Sequence, residues 1–275
     1  MNSAIGLITA LPAEARALFE PGHWQRQEGQ VFRHVLLKNG TALIAVRSGM
    51  GFENALAAGR WLIKREVAAL GVLGVSGGLD PGLESGDLVI ADSVIQQKGD
   101  TFEQVWEGNL KFVETTYATL ITEKIPTYRG AILTVQKPAL SARHKETLFA
   151  QTRALAVDME SAATALVARE AGLPFFALRT VCDAATRSIP DDLFNCINQK
   201  GHIRIFHILR MLLIDPAIIS DLMRTKRDFA LATAALRRAW HKQISSSLPA
   251  LLKPNPDKPE KKRPLASVQS PEPSG

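Results

Sequence analysis

Ala156-Val157-Asp158-Met159-Glu160-Ser161 passes from a short apolar run straight into an alanine-rich stretch with helical spacing, and that junction decides how the chain is read. A strand feeding directly into a helix is the unit of a layered α/β domain. Further on, the apolar run Phe175–Val181 ends in Cys182-Asp183. An acid at the end of a hydrophobic strand costs desolvation free energy unless it has a task there. Strand ends are also where open α/β sheets take up ligands. Glu160 and Asp183 are therefore candidate functional acids. Glu14, at a helix start behind the apolar run Ile5–Thr9, is a third.

Outward from that junction, strands and helices alternate. Val31–Leu37 and Thr41–Val46 flank Asn39-Gly40, a strong hairpin signal, so the sheet has some antiparallel pairing. Arg47-Ser48-Gly49-Met50-Gly51 is a glycine-rich turn leading into a helix over Glu53–Arg65. Val67–Val75 reads as a strand ending in a tight loop, Ser76–Gly82. Strands are expected from Asp87 and over Gly130–Val135, with Ser141 capping a helix through Ala150; Gln96–Ile125 has no periodicity that assigns it. The fold class expected is α/β: a three-layer αβα domain with a mixed central β-sheet, followed by C-terminal helices.

Three regions are expected: a catalytic domain over 1–200, basic amphipathic helices over 201–245 and a disordered Pro/Lys-rich tail over 246–275. The helices are read over Ile203–Ile214 and Pro216–Gln243. The second sets Ile218, Leu222, Phe229, Ala232, Leu236 and Trp240 against Arg224, Arg227, Arg237, Arg238 and Lys242. Residues 201–275 carry 13 Lys/Arg and 6 Asp/Glu, against 20 and 21 in the rest, so the basic excess belongs to this end. It is either a solvated helix face with a soluble tail or an attraction to an anionic surface. Nucleic acid is a poor fit, because the basic segment lacks interleaved aromatics.

Cys182 and Cys196 have no ligand spacing, so neither a disulfide framework nor a metal site is expected. The N-terminus has no basic, then apolar, signal-peptide pattern, and cytoplasmic residence is expected.

Each acid has a plain alternative. Glu160 or Asp158 could cap the helix that follows, Asp183 could cap a loop, and Glu14 could be an ordinary first-turn residue. The functional alternative is glycosidic chemistry, where positive charge builds on a sugar ring as its bond breaks. A carboxylate stabilises that charge, an acid of raised pKa protonates the leaving base, and a third carboxylate activates water. The glycine turns at Ser48–Gly51 and Ser76–Gly78 either make turns only or offer N–H groups to an anion.

Five blocks, in order, resemble the purine nucleoside phosphorylase and methylthioadenosine nucleosidase superfamily: Ile5–Ala10 with Glu14; Ser48-Gly49-Met50-Gly51 with Asn54-Ala55; Ser76-Gly77-Gly78-Leu79-Asp80-Pro81 with Gly86-Asp87-Leu88-Val89; Val157–Ala163; and Arg179–Asp183. The resemblance implies that Asp183 and Glu14 are catalytic, one toward the purine and the other toward water. It implies that Glu160 binds the ribose hydroxyls, with Met159 along the sugar, and that Ser48, Gly49 and Gly78 line the water or phosphate pocket. It further implies no cofactor, with inorganic phosphate as the alternative co-substrate, and a homo-oligomer. Asp183–Pro190 and the basic C-terminus are most similar to the hopanoid-associated phosphorylases, which implies adenosylhopane as substrate, adenine as product and peripheral contact with the inner membrane surface. Three features depart from the superfamily pattern: Cys182 before the aspartate, Val75-Ser76, and the lack of a base-stacking aromatic near Gln136–Leu140.

Overall fold

The computed structural model describes residues 4–108, 110–190 and 218–251. Its ten strands are β1 (Ile5–Thr9), β2 (Gln25–Gln27), β3 (Gln30–Leu36), β4 (Ala42–Arg47), β5 (Ala69–Gly78), β6 (Leu88–Lys98), β7 (Thr101–Glu107), β8 (Thr127–Thr134), β9 (Ala156–Asp158) and β10 (Phe175–Asp183). The helices are α1 (Pro12–Leu18), α2 (Phe52–Ile63), α3 (Leu110–Thr122), α4 (Ala142–Thr152), α5 (Ser161–Glu170), α6 (Ile218–Ala239) and α7 (Ser245–Leu251), the last two joined by a π-helical turn, Trp240–Ile244.

One mixed sheet holds all ten strands, in the order β10-β6-β8-β9-β5-β1-β4-β3-β2, with β7 paired to β6. Because β10 also pairs with β5, the strands β5, β10, β6, β8 and β9 close on themselves. The remaining strands extend away from β5 through β1. Closure brings the ends of β5, β9 and β10 together: Gly77 stands in register with both Val157 and Asp183. The acids of two separate sequence blocks meet for this reason.

Burial follows strand alternation. Ile5 and Leu7 of β1 join one apolar cluster with Leu18, Phe112, Leu120 and Leu236, under α1, α3 and α6. Ile8 joins another with Leu62, Ala165 and Val167, under α2 and α5. These two clusters are the two faces of an αβα sandwich. A smaller one, with Leu133, Leu148 and Val157, lies under α4.

Four stretches differ from the sequence reading: residues 246–251, expected at the start of the disordered tail, belong to α7, with Leu248 buried. The glycines Gly77 and Gly78 do not open a loop; β5 runs through both and pairs them with β9. Their lack of a side chain is what permits it, since a Cβ on Gly78 would stand 3.1 Å from Val181 and one on Gly77 3.1 Å from Val157. Gln96–Ile125 resolves into the end of β6, its hairpin partner β7 and α3. The short edge strand β2 was not anticipated.

The C-terminal helices pack rather than project. Ala235, Leu236, Ala239, Trp240, Ile244 and Leu248 are buried in the same cluster as β1, and Trp240 meets Phe19 edge-on at 5.6 Å. Arg224, Arg227, Arg237 and Arg238 face outward. The expected helix Ile203–Ile214, the end of the 1–200 region and the tail beyond Leu251 lie outside the described residues.

Candidate active site

Glu160 and Asp158 divide the tasks that the sequence left open between them. Asp158 caps α5: its carboxylate accepts from the Ser161 N–H at 3.2 Å and from the Ser161 hydroxyl, while Thr134 Oγ1 donates to it at 2.6 Å. Glu160 occupies the N-cap position but makes no capping bond. Its Oε1 accepts instead from the Gly51 N–H at 2.7 Å, across the sheet, and Oε2 meets Arg179 at 3.3 Å. Asp158, relieved of nothing by solvent, is held by the same guanidinium at 2.5 Å.

Glu14 sits at the third position of α1, where its Oε2 accepts from the Ala10 and Leu11 N–H groups at 2.8 Å each. The first-turn role therefore holds, but it uses one oxygen only. Oε1 crosses to β5 and accepts from the Val75 N–H at 2.8 Å. Gly74 makes room for this. A Cβ there would stand 2.3 Å from Glu14 Oε1 and 2.6 Å from Arg179 Nη1.

Asp183 ends β10 just after a break in register between Val181 and Asp183, with Cys182 as the extra residue. Such a bulge re-aims the side chain that follows it. Asp183 Oδ2 is paired with the ammonium of Lys145, and Oδ1 accepts from Cys182 Sγ at 3.2 Å.

The three acids share one cavity of about 190 Å³. Glu14, Met159, Glu160 and Asp183 line it together with Met50, Ser76, Gly77 and the apolar residues Val135, Pro138, Leu140, Ile189 and Phe229. Among the described residues, no lysine or arginine lines it. Ser48, Gly49 and Gly78 stand behind this lining. The Ser48 hydroxyl is turned onto backbone, donating to Gly49 O at 2.8 Å, and Gly49 adopts a φ of 86° that only glycine takes readily. The turn reaches the site through Met50 and the Gly51 N–H.

Burial dominates the electrostatics. It raises the pKa of Glu160 from its ordinary 4.5 to about 7, against the pull of Arg179 and with Asp158 pushing the same way. Glu14 and Asp183 are also raised, in both cases chiefly by burial, with Arg179 and Lys145 respectively pulling back. Carboxyl groups whose pKa is raised by burial are suited to acid–base chemistry.

Several contributors went unassigned in the sequence. Arg179 gave a signal, since an arginine inside an apolar strand must have buried partners. Lys145 gave none; it sits in a polar helix with ordinary solvated spacing. Phe229, the aromatic among the described lining residues, comes from α6, where its spacing marked it only as a core residue. Among the described residues no cluster of His, Cys, Asp and Glu is disposed to hold a metal.

The sheet closes so as to gather the carboxyl groups of Glu14, Asp158, Glu160 and Asp183 round one pocket, and the chain's relatives make it an α/β enzyme of the N-ribosyl-cleaving class. Residues 4–203 match the sequence profile of the Phosphorylase superfamily, and the chain belongs to that family. A 5'-methylthioadenosine/S-adenosylhomocysteine nucleosidase from Marinomonas sp. (strain MWYL1) is 30% identical over 166 residues, covering 55% of this chain and 72% of that protein. The protein of the same description from Mycobacterium tuberculosis is 25% identical over 251 residues, 77% of this chain and 98% of its own. Among solved structures, the Helicobacter pylori 5'-methylthioadenosine/S-adenosyl homocysteine nucleosidase superposes with a TM-score of 0.67 at 18% identity, over 91% of this chain and 99% of that one. Futalosine hydrolase of Helicobacter pylori strain 26695 gives 0.67 at 17% identity, over 90% and 99%. These two likenesses establish the fold.

Proposed function

We propose that this protein hydrolyses the N-glycosidic bond of a purine nucleoside and releases the base. The observation that carries the reading is one cavity lined by Glu14, Glu160 and Asp183, with no lysine or arginine among its described lining residues. Each acid is placed for one part of the reaction. Asp183, raised by burial, gives a proton to a ring nitrogen so that the base leaves neutral. Glu160 accepts from the ribose hydroxyls, and its charge offsets the positive charge building on the ring. Glu14 takes a proton from the attacking water.

Charge favours water over phosphate. A phosphate dianion entering beside Glu14 and Glu160 meets no lining cation among the described residues, whereas a neutral water meets acceptors. Arg16 on α1 and Arg47 at the end of β4, the arginines close in sequence to Glu14 and Ser48, do not line the cavity. The curated relatives' descriptions make 5'-methylthioadenosine and S-adenosylhomocysteine the first substrates to try. The test is release of free adenine from either, with and without phosphate. Binding without turnover of any adenosine analogue would favour a non-catalytic nucleoside-binding protein.

Adenosylhopane is the narrower substrate proposal, with adenine again released. It is favoured by α6, where Ile219, Met223 and Leu231 are exposed beside Arg224 and Arg227, a pattern suited to the interface of an anionic bilayer. No helix among the described residues is long and apolar enough to cross a membrane, so contact would be peripheral, from the cytoplasmic side. Liposome binding that survives Met223→Ser and Leu231→Ser unchanged would count against it. A homo-oligomer is part of the same proposal and is read by light scattering.

A further inference from the structure

Behind Asp183, at the edge of the cavity, lies a buried cation that the proposed reaction has not used. Lys145 is fully buried, which is rare for lysine. All three donors of its ammonium are taken: by Asp183 Oδ2, by Ala184 O at 2.9 Å and by Arg187 O at 3.1 Å. The cation therefore grips both the carboxyl group at the end of β10 and the turn that follows it. The turn is held from the other side as well, where the Arg187 guanidinium pairs with Asp228 at 2.5 Å and Thr225 Oγ1 at 2.6 Å on α6.

A purely structural explanation is weak on energetic grounds. Burying an ammonium–carboxylate pair costs several kcal/mol per ion before the pair's attraction is counted, and an apolar residue of similar size often serves stability as well. The placement makes sense in the reaction. Burial alone would leave Asp183 a reluctant acid. A fixed ammonium on one oxygen makes it a better one, because it lowers the free energy of the carboxylate left after proton transfer.

We propose that Lys145 is a positioning residue for departure of the base: it aims the Asp183 carboxyl group and stabilises the negative charge that forms there as the proton passes to the purine. This rests on the reading of Asp183 as proton donor. The step balances. As the C1′–N bond breaks, its electron pair goes to the purine, which takes the Asp183 proton on a ring nitrogen. Water oxygen bonds to C1′ and loses a proton to Glu14. Lys145 keeps its protons throughout, and Asp183 and Glu14 reset by exchange with solvent after the base leaves. The other charged or titratable groups round Asp183 are Cys182 on β10, Arg187 in the turn and, further off, Glu14 on α1.

The test compares Lys145→Met and Lys145→Gln with wild type on two substrates: methylthioadenosine, whose base needs a proton, and p-nitrophenyl riboside, whose leaving group departs as a stable anion. With methylthioadenosine, kcat should fall by about 100-fold, while KM moves by less than about threefold. The alkaline limb of kcat/KM should shift to higher pH, because Asp183 without the cation holds its proton more tightly. With p-nitrophenyl riboside the variants should stay within about threefold of wild type. Equal losses on both substrates, or an unmoved limb with unchanged kcat, overturn the proposal. If neither variant folds, Lys145→Arg carries the test, since it keeps the charge but displaces it. Its kcat must fall on methylthioadenosine and not on p-nitrophenyl riboside, and equal losses again overturn the role. A wild-type protein that cleaves neither substrate overturns the nucleosidase reading and this proposal with it; one that cleaves both, with variants losing both alike, overturns this proposal alone.

Discussion

Glu160→Gln should make the protein more stable at alkaline pH while abolishing its activity. Glu160 is buried and its pKa is raised from 4.5 to about 7, first by burial. An acid whose pKa rises on folding binds its proton more tightly in the native state. Below pH 4.5 both states are protonated and the raised pKa costs nothing. Between 4.5 and about 7 the unfolded state ionises first, so stability falls as pH rises; above about 7 the full cost is present. At 1.36 kcal/mol per pH unit that cost is about 3 kcal/mol. Glutamine removes it and still accepts from the Gly51 N–H, and Arg179 keeps Asp158 at 2.5 Å. Urea unfolding at pH 8.5 should show the variant more stable by up to about 3 kcal/mol, or roughly 6–12 °C in Tm. At pH 5 the difference should shrink below about 1 kcal/mol. Adenine release should be lost at both. A variant destabilised equally at the two pH values would refute the reasoning, because Glu160 would then be a net stabiliser of the fold.

Gly74→Ala should destabilise by about 1–3 kcal/mol, the range for overpacking, and should abolish turnover, since its Cβ would strike Glu14 and Arg179 together. Thermal unfolding with an adenine-release assay checks both. Asp183→Asn should fold and bind nucleoside but release base at least about 100-fold more slowly; calorimetric binding beside the rate assay separates the two effects. Arg187→Met should cost about 3 kcal/mol by stranding the mostly buried Asp228. It should also raise KM for the nucleoside, because α6 carries Phe229 onto the cavity.

The layered fold was legible because strand and helix periods are local. Ile5–Thr9, the Asn39-Gly40 hairpin and the β9-to-α5 junction stand close to where apolar spacing put them. The acids were legible for a different reason: carboxylates are conspicuous at the ends of apolar runs. Which of Glu160 and Asp158 caps α5 was not, because they are two residues apart and only the Gly51 N–H, brought in from the start of α2, draws Glu160 away from the cap. Gly77 and Gly78 read as a loop because glycine usually marks one; here it marks a crowded strand crossing. Lys145 and Phe229 were illegible as site residues. Their helices join the cavity through contacts spanning dozens of residues of chain, and nothing in their local spacing records it. Gln96–Ile125 failed for a related reason: the long β6–β7 hairpin has a solvated outer strand whose polar pattern hides its pairing.

Running the reaction on methylthioadenosine in ¹⁸O-labelled water, with phosphate present, tests the central claim most directly. The account predicts free adenine and a ribosyl product carrying one ¹⁸O at C1, at a rate that phosphate does not raise. A 5-methylthioribose 1-phosphate product without label, or no adenine at all, would contradict it.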